Sequence, residues 1–286
     1  MGRISFRYRQ LAITLPFPLL VLACDGGGTA PPRLEWPSVA SVKKESWDNL
    51  AKKSIFFGHQ SVGANIVEGL GEVIKQSSLP LHLRIVELKG PTASLEKGVF
   101  AHAYVGANEN PGSKDAAFAG YVRGGLGSSA DIAFFKYCYI DLVEGSDPDA
   151  VFEHYRATMA NVAKAYPKVT FVHVTVPLRI VQTGWKARLK RILGKPAGGQ
   201  LDNVVRSKFN ARLRQEYEGK APVFDLAAVE STYPDGHRAF FTRDGQTYLA
   251  MVPEYTPDAG HLNAEGRRRV AGALLVFLAD LASKTR

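Results

Sequence analysis

The sequence predicts a doubly wound α/β sandwich, and three observations carry that expectation. Short apolar, β-branched or aromatic runs alternate with segments whose apolar residues recur at helical spacing. Strands separated by helical segments imply parallel βαβ crossovers, with helices on both faces of one sheet. About 245 residues remain after the N-terminal stretch, enough for one α/β domain with its own core. No internal repeat is visible.

In chain order, the first feature is a group of three arginines, Arg3, Arg7 and Arg9. An apolar run from Leu11 to Ala23 follows, broken only by Thr14, Pro16 and Pro18. The run is too short for a permanent bilayer anchor and fits a signal peptide over 1–23. It ends Leu20-Val21-Leu22-Ala23-Cys24, followed by Asp25 and three glycines. This resembles a bacterial lipobox, in which cleavage before Cys leaves that residue to carry lipid, although Leu is more usual where Val21 stands. An ordinary signal with a chance Cys is the other reading. The expectation is a lipidated Cys24, a flexible Gly/Pro-rich tether over 24–40, a domain over 41–286, and a lipoprotein of the bacterial cell envelope. The second cysteine, Cys138, lies in the apolar run Ile132 to Leu142 and reads as a small buried hydrophobe with no disulfide partner.

The net charge is +9 and falls to +6 without the three leader arginines. A basic surface suits anionic headgroups or acidic polysaccharide. No nucleic-acid-binding motif is present, and an exported chain makes that partner class a poor fit.

Strands are expected over 53–57, 82–88, 131–137, 168–176 and 222–226, forming a mainly parallel five-stranded sheet. Helices are expected over 41–51, 61–76, 114–122, 149–166, 201–218 and 263–283. The helix from 61 carries Val62, Ile66, Leu70 and Ile74 as an apolar stripe. The last helix carries Val270, Leu274, Phe277, Leu278 and Leu281 in the same way. Open parallel sheets place their sites at the carboxyl ends of strands. Those ends lead into loops 58–61, 89–113, 138–148, 177–200 and 227–262.

Two of these loops hold the parts of a serine nucleophile site. Ser54 to Gly63 reads as a buried strand, a turn at Gly58-His59-Gln60-Ser61, and a helix start. Far downstream stands Asp258-Ala259-Gly260-His261. A serine hydroxyl is a weak nucleophile, so an imidazole must take its proton as it attacks, and an acid must orient that imidazole. His261 has the right acidity for the base, and Asp258 can orient it if the turn at Gly260 folds back. Ser61 could otherwise be a plain helix N-cap. The Asp258/His261 pair could be a simple turn followed by a surface histidine.

Ser61 in an early block and Asp258-x-x-His261 in a late one resemble the SGNH (GDSL-type) hydrolases. The resemblance implies a three-layer α/β/α flavodoxin-like fold and cleavage of carboxylic esters on lipids, small molecules or carbohydrates. It implies Ser61 as nucleophile, His261 as base and Asp258 as its partner. The sequence departs from the family at two blocks. Gly58-His59-Gln60-Ser61 stands where Gly-Asp-Ser is usual. Lys136-Tyr137-Cys138-Tyr139-Ile140-Asp141 stands where the family has Gly-x-Asn-Asp, whose Asn helps bind the oxyanion. Each oxyanion donor is worth roughly 3 kcal/mol. The Ser61 N–H is one candidate, and the Gly106 amide or Asn108 side chain, in the loop Val105 to Pro111, are others. Asn108 also reads as an ordinary loop residue.

Other polar residues have blander readings. His59 is expected to line the pocket or hydrogen-bond, Lys136 to form an ion pair with Asp141 or Glu109, and His173 to be a satisfied core histidine. His102, His154 and His237 show no ligand spacing, so neither metal nor cofactor is expected. Trp185 to Leu193 puts Trp185, Leu189, Ile192 and Leu193 on one helical face and four cations on the rest. That is an interfacial pattern beside the expected site, for anionic membrane or an acidic polymer. The alternative is a helix packing its apolar face on the domain. The functional expectation is an esterase acting on an acyl group such as acetyl, with a carbohydrate as one carrier of that ester. An O-acyltransferase, a non-catalytic polysaccharide-binding lipoprotein and a membrane-surface scaffold are the competing readings.

Overall fold

The computed structural model describes residues 28–76, 81–91 and 94–284. Its elements run α1 (Lys44–Leu50), β1 (Ser54–His59), α2 (Val62–Gln76), β2 (Arg84–Glu87), β3 (Val99–Tyr104), α3 (Pro111–Tyr121), α4 (Gly127–Ser129), β4 (Ile132–Phe135), α5 (Pro148–Ala165) and β5 (Thr170–Val174). They continue with α6 (Gly184–Ile192), α7 (Gln200–Tyr217), β6 (Val223–Phe224), α8 (Leu226–Glu230), β7 (Phe240–Arg243), β8 (Gln246–Leu249) and α9 (Ala264–Lys284).

The central sheet has the order β2-β3-β1-β4-β5-β6, and all its pairings are parallel. β1 lies in the middle, with β3 on one side (Ser54 opposite Val99) and β4 on the other (Ile55 opposite Ile132). All six of its residues are buried, which is why Ser54-Ile-Phe-Phe-Gly-His59 lacks a polar alternation. One face carries Ile55, Phe57, Ile132, Phe134 and Val172 under α1, α2 and α9. The other carries Phe56, Ala101, Ala133, Phe135 and Phe171 under α3, α5 and α7. The result is the expected three-layer α/β/α sandwich. Its chain path reverses direction around β1, and crevices form at the carboxyl ends of strands at such a point.

The sheet has six strands, not five. The added strand, β3, falls within 89–113, a stretch expected to be loop. Its run Val99-Phe-Ala-His-Ala-Tyr104 sets strand-favouring Val, Phe and Tyr around Ala-His-Ala, so its local strand signal is mixed. Pairing with β1 and β2 on both sides decides it. The antiparallel β7–β8 hairpin and α8 are likewise in a stretch expected to be loop.

α2 and α9 approach closely. A Cβ on Gly69 would lie 2.5 Å from the Arg267 carbonyl oxygen. The half-buried Arg267 pairs with Glu68 at 3.0 Å and also with Glu72. Upstream, the Leu34 N–H donates to the Gly236 carbonyl at 2.9 Å, and Trp36 packs against the α2/α9 core. The signal segment 1–23 and Cys24 lie outside the described residues. Among the described residues, no helix is long and apolar enough to cross a membrane.

Candidate active site

β1 ends at His59 and α2 begins at Val62, so two residues make the turn. A turn this tight brings the first turn of α2 onto the strand end. A Cβ on Gly63 would lie 2.2 Å from the His59 Cβ, so glycine is required there. Ser61 sits at φ +41°, a left-handed conformation that costs a non-glycine residue energy. Its side chain does not cap α2. The Ser61 Oγ meets His261 Nε2 in a short hydrogen bond.

The His261 turn is built from Asp258. One carboxylate oxygen accepts the Gly260 N–H at 3.1 Å and the His261 N–H at 2.8 Å. The other lies 2.6 Å from His261 Nδ1. Ala259 is held at φ +79°, and a Cβ on Gly260 would lie 2.7 Å from the Tyr139 ring, so the turn is seated on Tyr139. Partial desolvation pushes the Asp258 carboxyl up. The His261 backbone N–H, the His261 ring and the Gly260 N–H outweigh it and hold the pKa at about 2. An ionised Asp258 only accepts, so His261 Nδ1 carries the ring proton. Nε2 is then the lone pair that accepts the Ser61 hydroxyl. Ser61, His261 and Asp258, read from distant parts of the sequence, meet as one relay.

Sequence reasoning missed the residues that hold this relay. The Asn65 side chain, one turn past Ser61, accepts the Leu262 N–H at 3.2 Å and ties the histidine loop to α2. Arg179 Nε and the Ile180 N–H both donate to the Ala259 carbonyl, at 3.4 and 3.2 Å. Buried Arg206 donates to the Tyr139 carbonyl at 2.8 Å. Tyr139 lies in the block where the family pattern has its Asn. Its hydroxyl is 3.5 Å from His261 Nδ1. None of these has a local motif; only the fold brings them together.

Gly106 is brought beside the nucleophile turn. The Val105 N–H donates to the His59 carbonyl at 2.9 Å, and Gln60 Nε2 donates to the Gly106 carbonyl at 2.8 Å. Gly106 takes φ +59°, and a Cβ there would lie 2.5 Å from the Lys114 backbone nitrogen. Among the described residues, neither the Ser61 nor the Gly106 N–H donates to a protein acceptor. Asn108 is exposed, and its side-chain oxygen accepts Lys114 Nζ at 3.1 Å. Lys114 also pairs with Asp141, both side chains fully buried. Asp141 further accepts the Glu109 N–H at 2.9 Å and the Cys138 N–H at 2.6 Å. The ion pair expected for Lys136 is thus made by Lys114. Lys136 instead donates to the Tyr137 carbonyl at 3.3 Å and lies 3.4 Å from the sulfur of the buried, free Cys138.

His59 Nε2 lies 3.0 Å from His102 Nδ1, and His173 Nδ1 lies 2.8 Å from the Tyr155 hydroxyl. Burial lowers both His59 and His173 to about 3, helped at His59 by Lys136 and His102. Behind the site, fully buried Glu230 accepts the Leu178 N–H at 2.7 Å. Burial raises its pKa to about 8 against the pull of Leu178, Lys136 and Arg206. Among the described residues, no group of three His, Cys, Asp or Glu is placed to hold a metal ion.

These shifts set a pH optimum for stability. Below its ordinary value of 6.5, each buried histidine would be protonated only in the unfolded chain, so stability is lost as pH falls from 6.5 toward 3. Glu230 acts oppositely: between 4.5 and about 8 the folded state keeps a proton that the unfolded chain releases. Its contribution is lost as pH rises from 4.5 to about 8, at about 1.4 kcal/mol per pH unit, and no further above that. Unfolding by urea is expected to show a maximum near pH 6.5 and a decline to pH 8. Glu230→Gln should flatten that decline; an unchanged slope would assign it elsewhere.

No family model and no curated protein matches the chain. Solved structures similar to it include a candidate platelet activating factor from Streptococcus pneumonia, 12% identical, covering 82% of this chain and 90% of that one, TM-score 0.46. A candidate lipolytic protein of the G-D-S-L family from Desulfitobacterium hafniense DCB-2 is 9% identical, covering 78% and 98%, TM-score 0.44. A carbohydrate esterase family 3 protein from Talaromyces cellulolyticus is 14% identical, covering 81% and 98%, TM-score 0.43. At identities and scores this low, the functional reading rests on the residues of this chain.

Proposed function

We propose that this chain is a serine ester hydrolase of the SGNH type, acting on a small acyl group such as acetyl. The observation that supports it most is the relay Asp258–His261–Ser61, with the serine hydroxyl on the free nitrogen of a ring oriented by an ionised carboxylate. In this reading His261 takes the Ser61 proton as Oγ attacks the ester carbonyl. The tetrahedral oxyanion is met by the unpaired N–H groups of Ser61 and Gly106, with Asn108 as a third donor. His261 then protonates the leaving alcohol, the acyl group stays on Ser61, and a water deprotonated by His261 releases it.

The site is open: the His261 and Asp258 side chains are 40% and 51% exposed. An open relay suits an ester carried on a large molecule, and a carbohydrate is the substrate class we propose. The leader ending at Cys24 supports a lipid-anchored place in a bacterial envelope. A fluorophosphonate probe tests the chemistry. Labelling of Ser61 that is lost in both Ser61→Ala and His261→Ala is expected. Well-folded protein that takes up no probe would refute an activated serine.

A further inference from the structure

The helix α6 and the residues just after it are built unlike the rest of the surface. Trp185, Leu189, Ile192 and Leu193 are 70%, 49%, 80% and 63% exposed. The other large hydrophobics exposed among the described residues are Tyr104 and Phe240, each standing apart in sequence. The bland reading, in which this helix packs its apolar face on the domain, is therefore set aside: no described element packs broadly against α6. Scattered exposed apolar residues are ordinary; four within nine positions are not.

The charge around them has one sign. Lys186, Arg188, Lys190, Arg191 and Lys195 fall in this stretch, and no Asp or Glu occurs between Glu153 and Asp202. The excursion is closed at its neck, where the Gln182 N–H donates to the Gly198 carbonyl at 3.0 Å. Two residues before the neck, the Ile180 N–H holds the Ala259 carbonyl in the His261 turn. An exposed apolar face, in a stretch whose charged residues are all cationic, is thus joined to one wall of the relay.

We propose that α6 docks on an anionic lipid bilayer, with Ile192, Leu193, Leu189 and Trp185 entering the headgroup boundary and the cations meeting phosphates. A soluble polyanion would pair with the cations but leave the apolar residues in water. A second copy would bring two clusters of like charge together. An anionic membrane satisfies both features, each cation strengthening attachment about fivefold. This inference does not depend on the esterase reading.

The test uses residues 28–286, which contain every described element, and vesicles of equal phosphatidylglycerol and phosphatidylcholine. Co-sedimentation is expected, at least about tenfold weaker on phosphatidylcholine alone and reduced by high salt. The pair Ile192→Glu and Leu193→Glu, on exposed positions, should cut partitioning about tenfold or more, with the circular dichroism spectrum unchanged. In the unmutated protein, brominated lipid should quench emission that Trp185→Phe removes, which needs no destabilising change. Protein that stays in the supernatant with anionic vesicles overturns the proposal. So does equal binding by the glutamate pair, or a dimer without lipid that the same pair dissociates. Tight binding to dextran sulfate that the glutamate pair leaves unchanged, without vesicle binding, would assign the surface to a polyanion instead.

Discussion

Ser61→Ala is expected to lower ester turnover by about 10⁴-fold or more, and His261→Ala by a similar amount. The two losses should not multiply, because the hydroxyl and the ring work as one unit: without either, there is no activated nucleophile. Asp258→Asn is expected to cost about 10³- to 10⁴-fold. An amide at that position offers Nδ1 no full negative charge and can present its own N–H, favouring the wrong ring tautomer. Since Asp258 is half exposed, water screens part of its effect, which places the loss toward the lower end. Measuring kcat and KM on an acetyl ester for all three variants and for Ser61→Ala/His261→Ala decides the matter. A double variant far slower than either single one would mean that the two residues act separately.

Lys114→Met is expected to destabilise the fold by about 3–5 kcal/mol. Both side chains of the Lys114–Asp141 pair are fully buried, so the substitution leaves a carboxylate in the interior without its cation. The Glu109 and Cys138 N–H groups would still bond Asp141, which keeps the cost finite. For a domain of this size the melting temperature should fall by about 10 °C. Lys114→Met/Asp141→Leu should recover only part of the loss, since those two backbone donors then lose their acceptor. A single variant that melts like the parent would show that the pair contributes little. The same change frees Asn108 and the loop from Gly106, so surviving folded protein should also turn over more slowly.

The parts of this molecule that were legible in sequence are those with a local cause. β1 is centred on the apolar run Ile55-Phe56-Phe57, α2 and α9 carry clear stripes, and Asp258-x-x-His261 closes on itself through four residues. The nucleophile turn announced itself through Gly58 and Gly63 around Ser61. What stayed hidden depends on partners. β3 has a mixed local signal, with Ala-His-Ala at its centre, and is fixed by the edges that β1 and β2 offer on both sides. Asp141 pairs with Lys114, 27 positions away, and not with Lys136, only five away, and nothing in their spacing says so. Tyr139, Arg179, Arg206 and Asn65 hold the histidine turn through contacts spanning long stretches of chain. The exposed face of α6 was visible as a pattern, but whether the domain covers it depends on the fold.

The close seating of α9 on α2 has a consequence for the order in which the molecule assembles. Ser61 and His261 are separated by 200 positions, and the helices that follow them cross at Gly69. Closing so long a loop costs chain entropy before the contacts between the two helices repay it. Until α9 arrives, Ile55, Phe57, Ile132 and Phe134 lack the cover of Val270, Leu274, Leu275 and Leu278. A nascent or clipped chain therefore exposes the part of this face that α9 covers, with α1 and α2 over the rest, and is prone to aggregate there. The Ser61–His261 contact needs α2 and α9 both in place, so it is absent from any chain in which α9 has not seated.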